Sequence, residues 1–216
     1  MQLETYIDYT LLKAEATTTQ IDALCAEAKE WNLKAVCVNP VFLERCRENL
    51  TNSSVALCTV IGFPLGATLS DIKIEEARQA LALGADELDM VINIGALKEN
   101  KEDLVFYEVA KIAELTKEKE KILKVIIETS VLTDEEIERV CALLLKSGAD
   151  FVKTSTGFSS GGATIEAIRL MKKTVGDSMK IKASGGIKTR EFALALIEAG
   201  ADRIGASSAK EMLFSE

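Results

Sequence analysis

The chain has 216 residues and a formal net charge of −8, and 48% of its residues are hydrophobic. This length and composition predict one globular α/β domain over residues 1–216, and the acidic balance argues against nucleic acid as a partner. Histidine is absent from the sequence, which excludes histidine-based catalytic triads and the usual imidazole metal sites.

The apolar runs and the cysteines indicate the cellular setting. No apolar run approaches the roughly 18 residues of a membrane span, and the N-terminal segment does not resemble a signal peptide. The 5 cysteines are scattered without a CxxC pair, so neither a disulfide framework nor a zinc site is predicted. We therefore expect a cytoplasmic protein with no membrane segment, no metal and no other cofactor.

Eight candidate strands alternate with helical patterns along the chain. The strands are expected at Tyr6–Thr10, Lys34–Val38, Val55–Ile61, Glu87–Asn93, Leu123–Glu128, Phe151–Ser155, Lys180–Ser184 and Arg203–Ala206. The helices are expected at Thr19–Trp31, Val41–Asn49, Ser70–Leu83, Glu102–Lys119, Asp134–Lys146, Thr164–Val175 and Thr189–Glu198, with a short one after Ser208. This alternation predicts a closed (β/α)8 barrel, the TIM-barrel architecture. A doubly wound open sheet is the alternative, although no GxGxxG pattern follows the first strand.

Three segments repeat one pattern, in which an apolar helix ends at Gly-Ala-Asp and a short strand follows. The glycines of the repeat are Gly84, Gly148 and Gly200. A glycine suits the left-handed position just beyond the end of a helix. The repeat supports the barrel prediction, because each copy is one helix followed by one strand.

The first two strands contain polar residues whose roles the sequence leaves open. Asp8, near the end of the first strand, could join a polar cluster or cap the next segment. Cys37, in the second strand, could be an inward-facing reactive thiol, but a small buried residue is favoured at this position.

Charged residues lie on strand faces that should point into the barrel. Because strand side chains alternate between faces, the apolar positions of ELDMVIN that begin at Leu88 should meet the helices, and Asp89 then points inward. The same argument places Lys182 of KIKAS inward. Lys153 of FVKTS could face either way, and an inward orientation aligns it with Lys182. Glu128 completes the inward set at the carboxyl ends of the strands, where barrels of this kind have their active sites.

Two lysines on adjacent strands suggest amine chemistry. Lys153 and Lys182 disfavour each other's charge, and burial acts in the same direction, so one amine is expected to be neutral near neutral pH. A neutral amine attacks carbonyl carbons, and Asp89 could shuttle protons. The alternative is structural, with the lysines in a buried ion-pair network or reaching to the rim of the barrel.

Glycine-rich and serine-rich loops follow the last three predicted strands. Loops after strands seven and eight commonly bind phosphate in barrels, and the loop after strand six adds a third signal of the same kind. The residues predicted to bind the substrate or its phosphate are Gly157, Gly185, Gly186, Gly205, Ser207, Ser208, Asp8 and Thr154. The sequence therefore predicts a small anionic ligand at the carboxyl ends of the strands.

A series of short motifs extends from residue 7 to residue 209. The motifs are IDYTLL, AVCVNP, VIGFPLGA, ADELDMVIN, VIIET, FVKTSTGF, KASGGIKT and GASSA. In this order they resemble the lysine-dependent deoxyribose-phosphate aldolases, and VKTSTGF followed by KASGGI is the most specific part. The resemblance implies a metal-free (β/α)8 barrel that cleaves 2-deoxy-D-ribose 5-phosphate to D-glyceraldehyde 3-phosphate and acetaldehyde.

The resemblance also implies roles for individual residues. Lys153 matches the Schiff-base lysine of the family, Lys182 its activating partner, and Asp89 a member of the proton relay. The glycines and serines of the last loops match the family's phosphate site. The implied partner is a small phosphosugar, and a homodimer or higher homo-oligomer is compatible with the sequence.

Two departures from the family pattern concern tyrosines. Many relatives have a histidine at the position of Tyr9, which puts any role of that position in doubt. Some relatives carry a C-terminal tyrosine that assists proton transfer, whereas the last tyrosine of this sequence is Tyr107. Protonation of the enamine is therefore expected to depend on Asp89, Lys182 and ordered water.

Two other functions remain open from the sequence. One is a phosphosugar isomerase that uses Asp89 and Glu128 without a covalent imine. The other is a barrel that binds a sugar phosphate without turning it over.

Overall fold

The computed structural model describes residues 2–214, in which eight strands alternate with helices. The strands are β1 (Ile7–Leu11), β2 (Ala35–Val38), β3 (Ala56–Ile61), β4 (Glu87–Val91), β5 (Ile122–Ile126), β6 (Phe151–Lys153), β7 (Lys180–Ser184) and β8 (Arg203–Ala206). The helices are α1 (Thr18–Glu30), α2 (Leu43–Asn49), α3 (Ser70–Ala82), α4 (Ile94–Lys98), α5 (Glu102–Glu118), α6 (Asp134–Ser147), α7 (Ile165–Val175), α8 (Arg190–Glu198) and α9 (Ala209–Phe214). Short 3-10 turns occupy Leu3–Tyr6, Pro40–Phe42 and Thr129–Val131.

The strands form one closed parallel barrel in chain order. The barrel closes between β1 and β8, where Ile7 pairs with Ile204 and Asp8 with Gly205. The (β/α)8 prediction is therefore confirmed, and the open doubly wound alternative is wrong. Because every strand is parallel, all carboxyl ends meet at one end of the barrel, and the loops after the strands surround that end.

The largest differences from the predicted strands lie at their carboxyl ends. The fourth strand ends at Val91 instead of Asn93, because the Asn93 side chain accepts a hydrogen bond from the N–H of Ala96 at 3.0 Å and caps α4. Helix α4 is absent from the prediction. Strand β6 ends at Lys153, two residues earlier than predicted, so the residues after it belong to the loop.

The hydrophobic core lies between the barrel wall and the helices. Leu88, Met90 and Ile92 of the β4 segment are fully buried in this core, and Ile181 and Ala183 of β7 join them. Each buried side chain of this size contributes about 1.5–3 kcal/mol through removal from water. The alternate residues of the same strands are therefore left facing the barrel interior, as the pattern predicts.

The aspartate of each Gly-Ala-Asp repeat bonds to the preceding strand of the barrel. The carboxylate of Asp86 accepts a hydrogen bond from the backbone N–H of Leu57 at 3.0 Å. An equivalent bond of 2.8 Å joins Asp150 to β5, and another of 2.8 Å joins Asp202 to β7. The repeat thus fixes the amino-terminal ends of the strands, and its aspartates support the fold at the end opposite the predicted site.

The helices form the outer layer, and side chains cap the first turns of several of them. Thr17 begins α1 in a capping box with Gln20, and Thr133 begins α6 in a second capping box with Glu136. Between residues 2 and 214, no helix has both the length and the apolar character needed to cross a membrane.

Candidate active site

A cluster of buried charged side chains fills the barrel interior. We call it the barrel cluster, and each member is at most 4% exposed. Its carboxylates are Asp8, Glu87 and Asp89, and its cations are Lys124, Lys153, Lys182 and Arg203.

Asp89 lies at the centre of the barrel cluster. Its Oδ2 accepts hydrogen bonds from Lys153 Nζ at 2.6 Å and from Lys182 Nζ at 2.8 Å. Its Oδ1 accepts a third from Lys124 Nζ at 2.8 Å. The structure therefore brings the two lysines and the aspartate singled out from the sequence into direct contact, with the lysine nitrogens sharing one carboxylate oxygen.

The remaining contacts of the barrel cluster pair each of the other cations with at least two carboxylates. Lys182 Nζ lies 2.5 Å from Asp8 Oδ2, and Arg203 Nη1 lies 2.6 Å from Asp8 Oδ1. Arg203 also contacts Glu87 at 3.1 Å, and Lys124 contacts Glu87 at 2.6 Å. Of the two roles left open for Asp8, the structure therefore supports membership of the polar cluster.

The contacts favour the charged forms of Asp8, Asp89 and Lys182. Burial raises the pKa of Asp89, but the three lysines around it outweigh burial and hold that pKa well below its usual value. The pKa of Asp8 is also lowered, because Lys182, Lys124 and Arg203 together outweigh its burial. Conversely, burial lowers the pKa of Lys182, but Asp8 and Asp89 raise it above the ordinary value.

Sequence reasoning left Lys124, Glu87 and Arg203 out of the inward set. The alternation that pointed Glu128 inward also applies to Lys124, which lies four residues earlier on the same strand face. Arg203 is paired in register with Lys182 across β7 and β8. The inward set was restricted to the carboxyl ends of the strands, so it left out these charged residues, which lie deeper in the barrel.

A cavity of about 260 Å³ opens beside the barrel cluster. Among the described residues of the cluster, only Lys153 lines it. The predicted binding residues that line it are Gly157, Gly185, Gly186, Gly205 and Ser207. The other lining residues are Thr10, Leu11, Leu12, Lys13, Thr156, Phe158, Ser184, Ile187 and Ala206. The Lys153 amine, the glycine-containing loops after β6 and β7 and the end of β8 therefore face one cavity that is open on one side.

Two glycines of the cavity wall, one in β8 and one in the loop after β7, have specific geometric requirements. A Cβ at Gly205 would lie 2.9 Å from Cε of Lys182, so the absence of a side chain leaves room for that lysine. Gly186 has a φ of +75°, which favours glycine, and a Cβ there would have no neighbour within 4 Å. The backbone at Gly186 therefore borders open space in which a ligand could approach it closely.

Three of the predicted binding residues lie outside the described wall of the cavity. Thr154 is fully buried, and its Oγ1 donates to Ser184 O at 3.1 Å and accepts from Ser184 N at 3.0 Å, so it joins β6 to β7 instead of lining the cavity. Asp8 lies in the barrel cluster, below the cavity. Ser208 follows Ser207 but is not part of the cavity wall among the described residues.

Glu128 and Tyr9 also lie apart from the barrel cluster. Glu128 Oε2 accepts hydrogen bonds from Thr156, in the loop after β6, and makes no described contact with Asp89. Tyr9 points toward α1, where its hydroxyl donates to Glu27 Oε2 at 2.9 Å. The position that is a histidine in many relatives is therefore directed away from the cavity in this chain.

The cysteines near the barrel cluster offer one set of metal-ligand atoms. The sulfurs of Cys37 and Cys58 and a carboxylate oxygen of Asp89 lie within 4.8 Å of one another. Asp89 is already bonded to three lysine ammonium groups, which oppose the approach of another cation. Cys37 is fully buried and packs with Leu12 in a small apolar cluster, which fits the favoured structural interpretation.

The sequence was compared with models of known protein families. The model described as DeoC/LacD family aldolase matches residues 4–212. The chain belongs to the DeoC/LacD aldolase family. A Finegoldia magna protein named deoxyribose-phosphate aldolase is 55% identical to this family member over 208 residues, which cover 96% of this chain and 97% of that protein. A Vibrio vulnificus protein named deoxyribose-phosphate aldolase 1 is 52% identical over 211 residues, which cover 98% of this chain and 95% of that protein.

Solved structures agree with this family membership. A tetrameric deoxyribose phosphate aldolase from Aeropyrum pernix superposes on this DeoC/LacD family member with a TM-score of 0.90 and 35% sequence identity. The match covers 99% of this chain and 90% of that one. The resemblance noted from short motifs therefore extends to the whole described barrel.

Proposed function

We propose that this protein is a deoxyribose-phosphate aldolase. It cleaves 2-deoxy-D-ribose 5-phosphate reversibly to D-glyceraldehyde 3-phosphate and acetaldehyde through a Schiff base on Lys153, in deoxyribose phosphate catabolism. The observation that carries this proposal is the position of Lys153, whose amine contacts Asp89 and also faces the glycine-lined cavity. Relatives that are more than half identical and bear this name support the choice of substrate.

The charge distribution supports Lys153 as the nucleophile. Lys182 and Arg203 each contact two carboxylates of the barrel cluster and Lys124 contacts all three, whereas Lys153 contacts Asp89 alone among the described salt bridges. The cluster contains one more cation than it has carboxylates. If Lys153 gives up its proton, the cluster holds equal numbers of cations and carboxylates, and this charge balance is what the proposed nucleophile requires. The resulting neutral amine is the reactive form.

The reaction then follows from the placement of these groups. Lys153 Nζ attacks C1 of the open-chain sugar, and the carbinolamine loses water to give a protonated imine. When the C3 hydroxyl loses its proton, the C2–C3 bond breaks, the C3 oxygen becomes an aldehyde, and the bonding electrons form an enamine. Protonation of the enamine at C2 and hydrolysis release acetaldehyde. Asp89 and Lys182, through water, handle these protons.

The glycine loops orient the substrate by its phosphate. The net charge of −8 opposes an anion, so binding requires local donors. Gly157, Gly185, Gly186, Gly205 and Ser207 line the cavity, and their backbone N–H groups and the Ser207 hydroxyl are the donors available to an anion. Phosphate binding remote from the reacting carbons positions C1 at the amine and contributes to the rate.

An isomerase mechanism receives less support from the geometry. It needs Asp89 and Glu128 on one substrate, but Asp89 is occupied by three lysines and Glu128 is bonded to Thr156. A barrel that only binds sugar phosphates differs from an aldolase in turnover, because it would bind the ligand without cleaving it. We further propose that residues 1–216 act as one domain, in the cytoplasm, as a homo-oligomer.

Reductive trapping tests the Schiff base. The protein is incubated with acetaldehyde and borohydride, and the modified peptide is identified by mass spectrometry. We expect an ethyl group on Lys153 and loss of aldolase activity in proportion to labelling. Labelling confined to other lysines, or turnover that is insensitive to borohydride, would contradict the assignment and favour a non-covalent mechanism.

A further inference from the structure

Glu128 has an unusual backbone conformation for a buried residue. Its φ of 58° and ψ of 64° place it in the left-handed region, which side chains other than glycine and asparagine rarely adopt. The other described non-glycine residues with positive φ are all exposed: Asn32, Asn52, Asn100 and Glu120. Glu128 is 3% exposed. Strain of this kind at a buried position next to a cavity points to a functional constraint.

The residues on either side of Glu128 explain how this conformation is held. The N–H of Ile127 donates to Lys153 O at 3.0 Å, and the N–H of Thr129 donates to Thr154 O at 2.8 Å. The chain therefore follows the extension of β6 before and after Glu128. The left-handed residue between these bonds directs its carboxylate toward Thr156, in the loop that borders the cavity.

The Glu128 carboxylate fixes the start of that loop. Its Oε2 accepts a hydrogen bond from Thr156 Oγ1 at 2.5 Å and another from Thr156 N at 3.2 Å. Thr156 Oγ1 in turn accepts from the N–H of Phe158 at 3.1 Å. Gly157, which lies between them with a φ of +83°, lines the cavity together with Thr156 and Phe158. One carboxylate thus determines the position of three consecutive cavity residues.

A stabilising role accounts poorly for Glu128. Burial of a carboxylate is costly unless it is paired with a cation or fully hydrogen-bonded. No described salt bridge involves Glu128, and its buried Oε1 has no hydrogen-bond partner among the described residues. The strained backbone adds to this cost. Both features are explained if the carboxylate serves to hold the loop in one conformation.

We propose that Glu128 is a positioning residue that holds residues 156–158 in the conformation that binds the phosphate of the substrate. This inference rests on the proposed function and assigns to Glu128 the preference for a phosphorylated sugar. Glu128 makes no described contact with the barrel cluster, so it acts on the phosphate end of the substrate and leaves the amine chemistry unaffected.

Two substrates that differ only in the phosphate test this role. The Glu128→Ala variant is compared with the unaltered protein on 2-deoxyribose 5-phosphate and on 2-deoxyribose. Because a hydrogen bond to a charged group is lost, we expect kcat/KM for the phosphate ester to fall about 10- to 100-fold, mainly through KM. For the unphosphorylated sugar we expect kcat/KM to change by less than about 3-fold. Glu128→Gln retains an acceptor oxygen and should recover part of the loss.

Two further variants separate positioning from general damage. Thr156→Val removes the hydroxyl that Glu128 binds, and the double variant with Glu128→Ala should lose no more than Glu128→Ala alone, since both changes break one interaction. Glu108→Gln is the matched control, because Glu108 is also a buried carboxylate (1% exposed) but is paired with Lys73 outside the cavity. Glu108→Gln should leave the ratio of kcat/KM for the phosphorylated sugar to kcat/KM for the unphosphorylated sugar unchanged.

Binding of inorganic phosphate, measured by calorimetry, needs no turnover. We expect weaker binding to Glu128→Ala by the same factor as the rise in KM. Equal loss on both sugars, or no loss on either, would overturn the positioning role. A protein that cleaves neither sugar would refute the proposed function, and the phosphate titration would then decide the role of Glu128 alone. If the unaltered protein also fails to bind phosphate, both proposals are wrong.

Discussion

Buried lysines occur at two places in the described chain. The two places differ in how many carboxylates are available to balance the lysine charges. Lys73 of α3 is fully buried, and its Nζ contacts Glu108 Oε2 of α5 at 2.8 Å and Val91 O at 3.1 Å. Ser70 donates to the other oxygen of Glu108 at 3.0 Å. This set is one cation with one carboxylate between a strand end and two helices. In the barrel cluster, by contrast, Asp89 is shared by three lysines.

The difference shows that burial alone does not make a lysine a nucleophile. Burial lowers the pKa of Lys73, and Glu108 only partly offsets that effect. Even if Lys73 lost its proton, its amine would face Glu108 and a backbone carbonyl, where no carbonyl substrate can approach. Lys153 is buried to nearly the same extent but lines a cavity, and it competes with two other lysines for one carboxylate. Access and unmatched charge therefore distinguish the two sites.

The largest effect is expected from Lys153→Arg. Arginine retains the positive charge beside Asp89, but its guanidinium stays protonated and cannot form the imine. We expect turnover to fall at least about 10⁴-fold, as for the loss of other covalent nucleophiles. The measurement is kcat for 2-deoxyribose 5-phosphate, together with loss of borohydride trapping.

Lys180→Arg provides the control for this substitution. Lys180 begins the neighbouring strand β7 and is exposed, so the same change there should leave turnover within about 2-fold. Substantial residual turnover in Lys153→Arg would show that another residue is the nucleophile. Access and unmatched charge would then not identify the reactive lysine.

Strand periodicity was sufficient to locate the centre of the site. Asp89 and Lys182 alternate with apolar residues that pack against helices, so their inward direction follows from local pattern alone. Lys153 could not be oriented in this way because both faces of its strand begin with apolar residues, and its contact with Asp89 depends on closure of the barrel. The loop glycines were located for a related reason, since they follow strands whose carboxyl ends must meet.

Other features depend on tertiary structure that no local pattern encodes. Lys73 and Glu108 lie 35 residues apart on helices whose charged residues suggest solvent exposure, and their pairing appears only when α3 packs against α5. Thr154 was misplaced because strand β6 ends one residue before it and its hydroxyl bonds to β7. The left-handed turn at Glu128 has no glycine or asparagine to signal it.

A smaller effect is expected from Lys182→Met. The change removes one of the cations that share Asp89, so a proton on Lys153 is less strongly opposed. We expect kcat to fall about 10²- to 10³-fold, which is typical of the loss of a proton-transfer residue. The acid limb of the pH–rate profile should move to higher pH, because more of the amine remains protonated at a given pH. A profile with an unchanged acid limb would contradict the charge-balance account of the barrel cluster.

The smallest effect on activity, and the largest on stability, is expected from Lys73→Met. The change leaves the Glu108 carboxylate buried without its cation, which should lower the free energy of unfolding by about 3–5 kcal/mol. Activity at a temperature where the variant is folded should remain within about 2-fold. The double variant Lys73→Met, Glu108→Leu replaces the pair by apolar groups and should recover most of the stability in urea unfolding. If Lys73→Met instead reduced turnover as strongly as Lys182→Met, the pair near the end of β4 would have to act on the chemistry, and unmatched charge at the cavity would no longer explain why Lys153 is the reactive lysine.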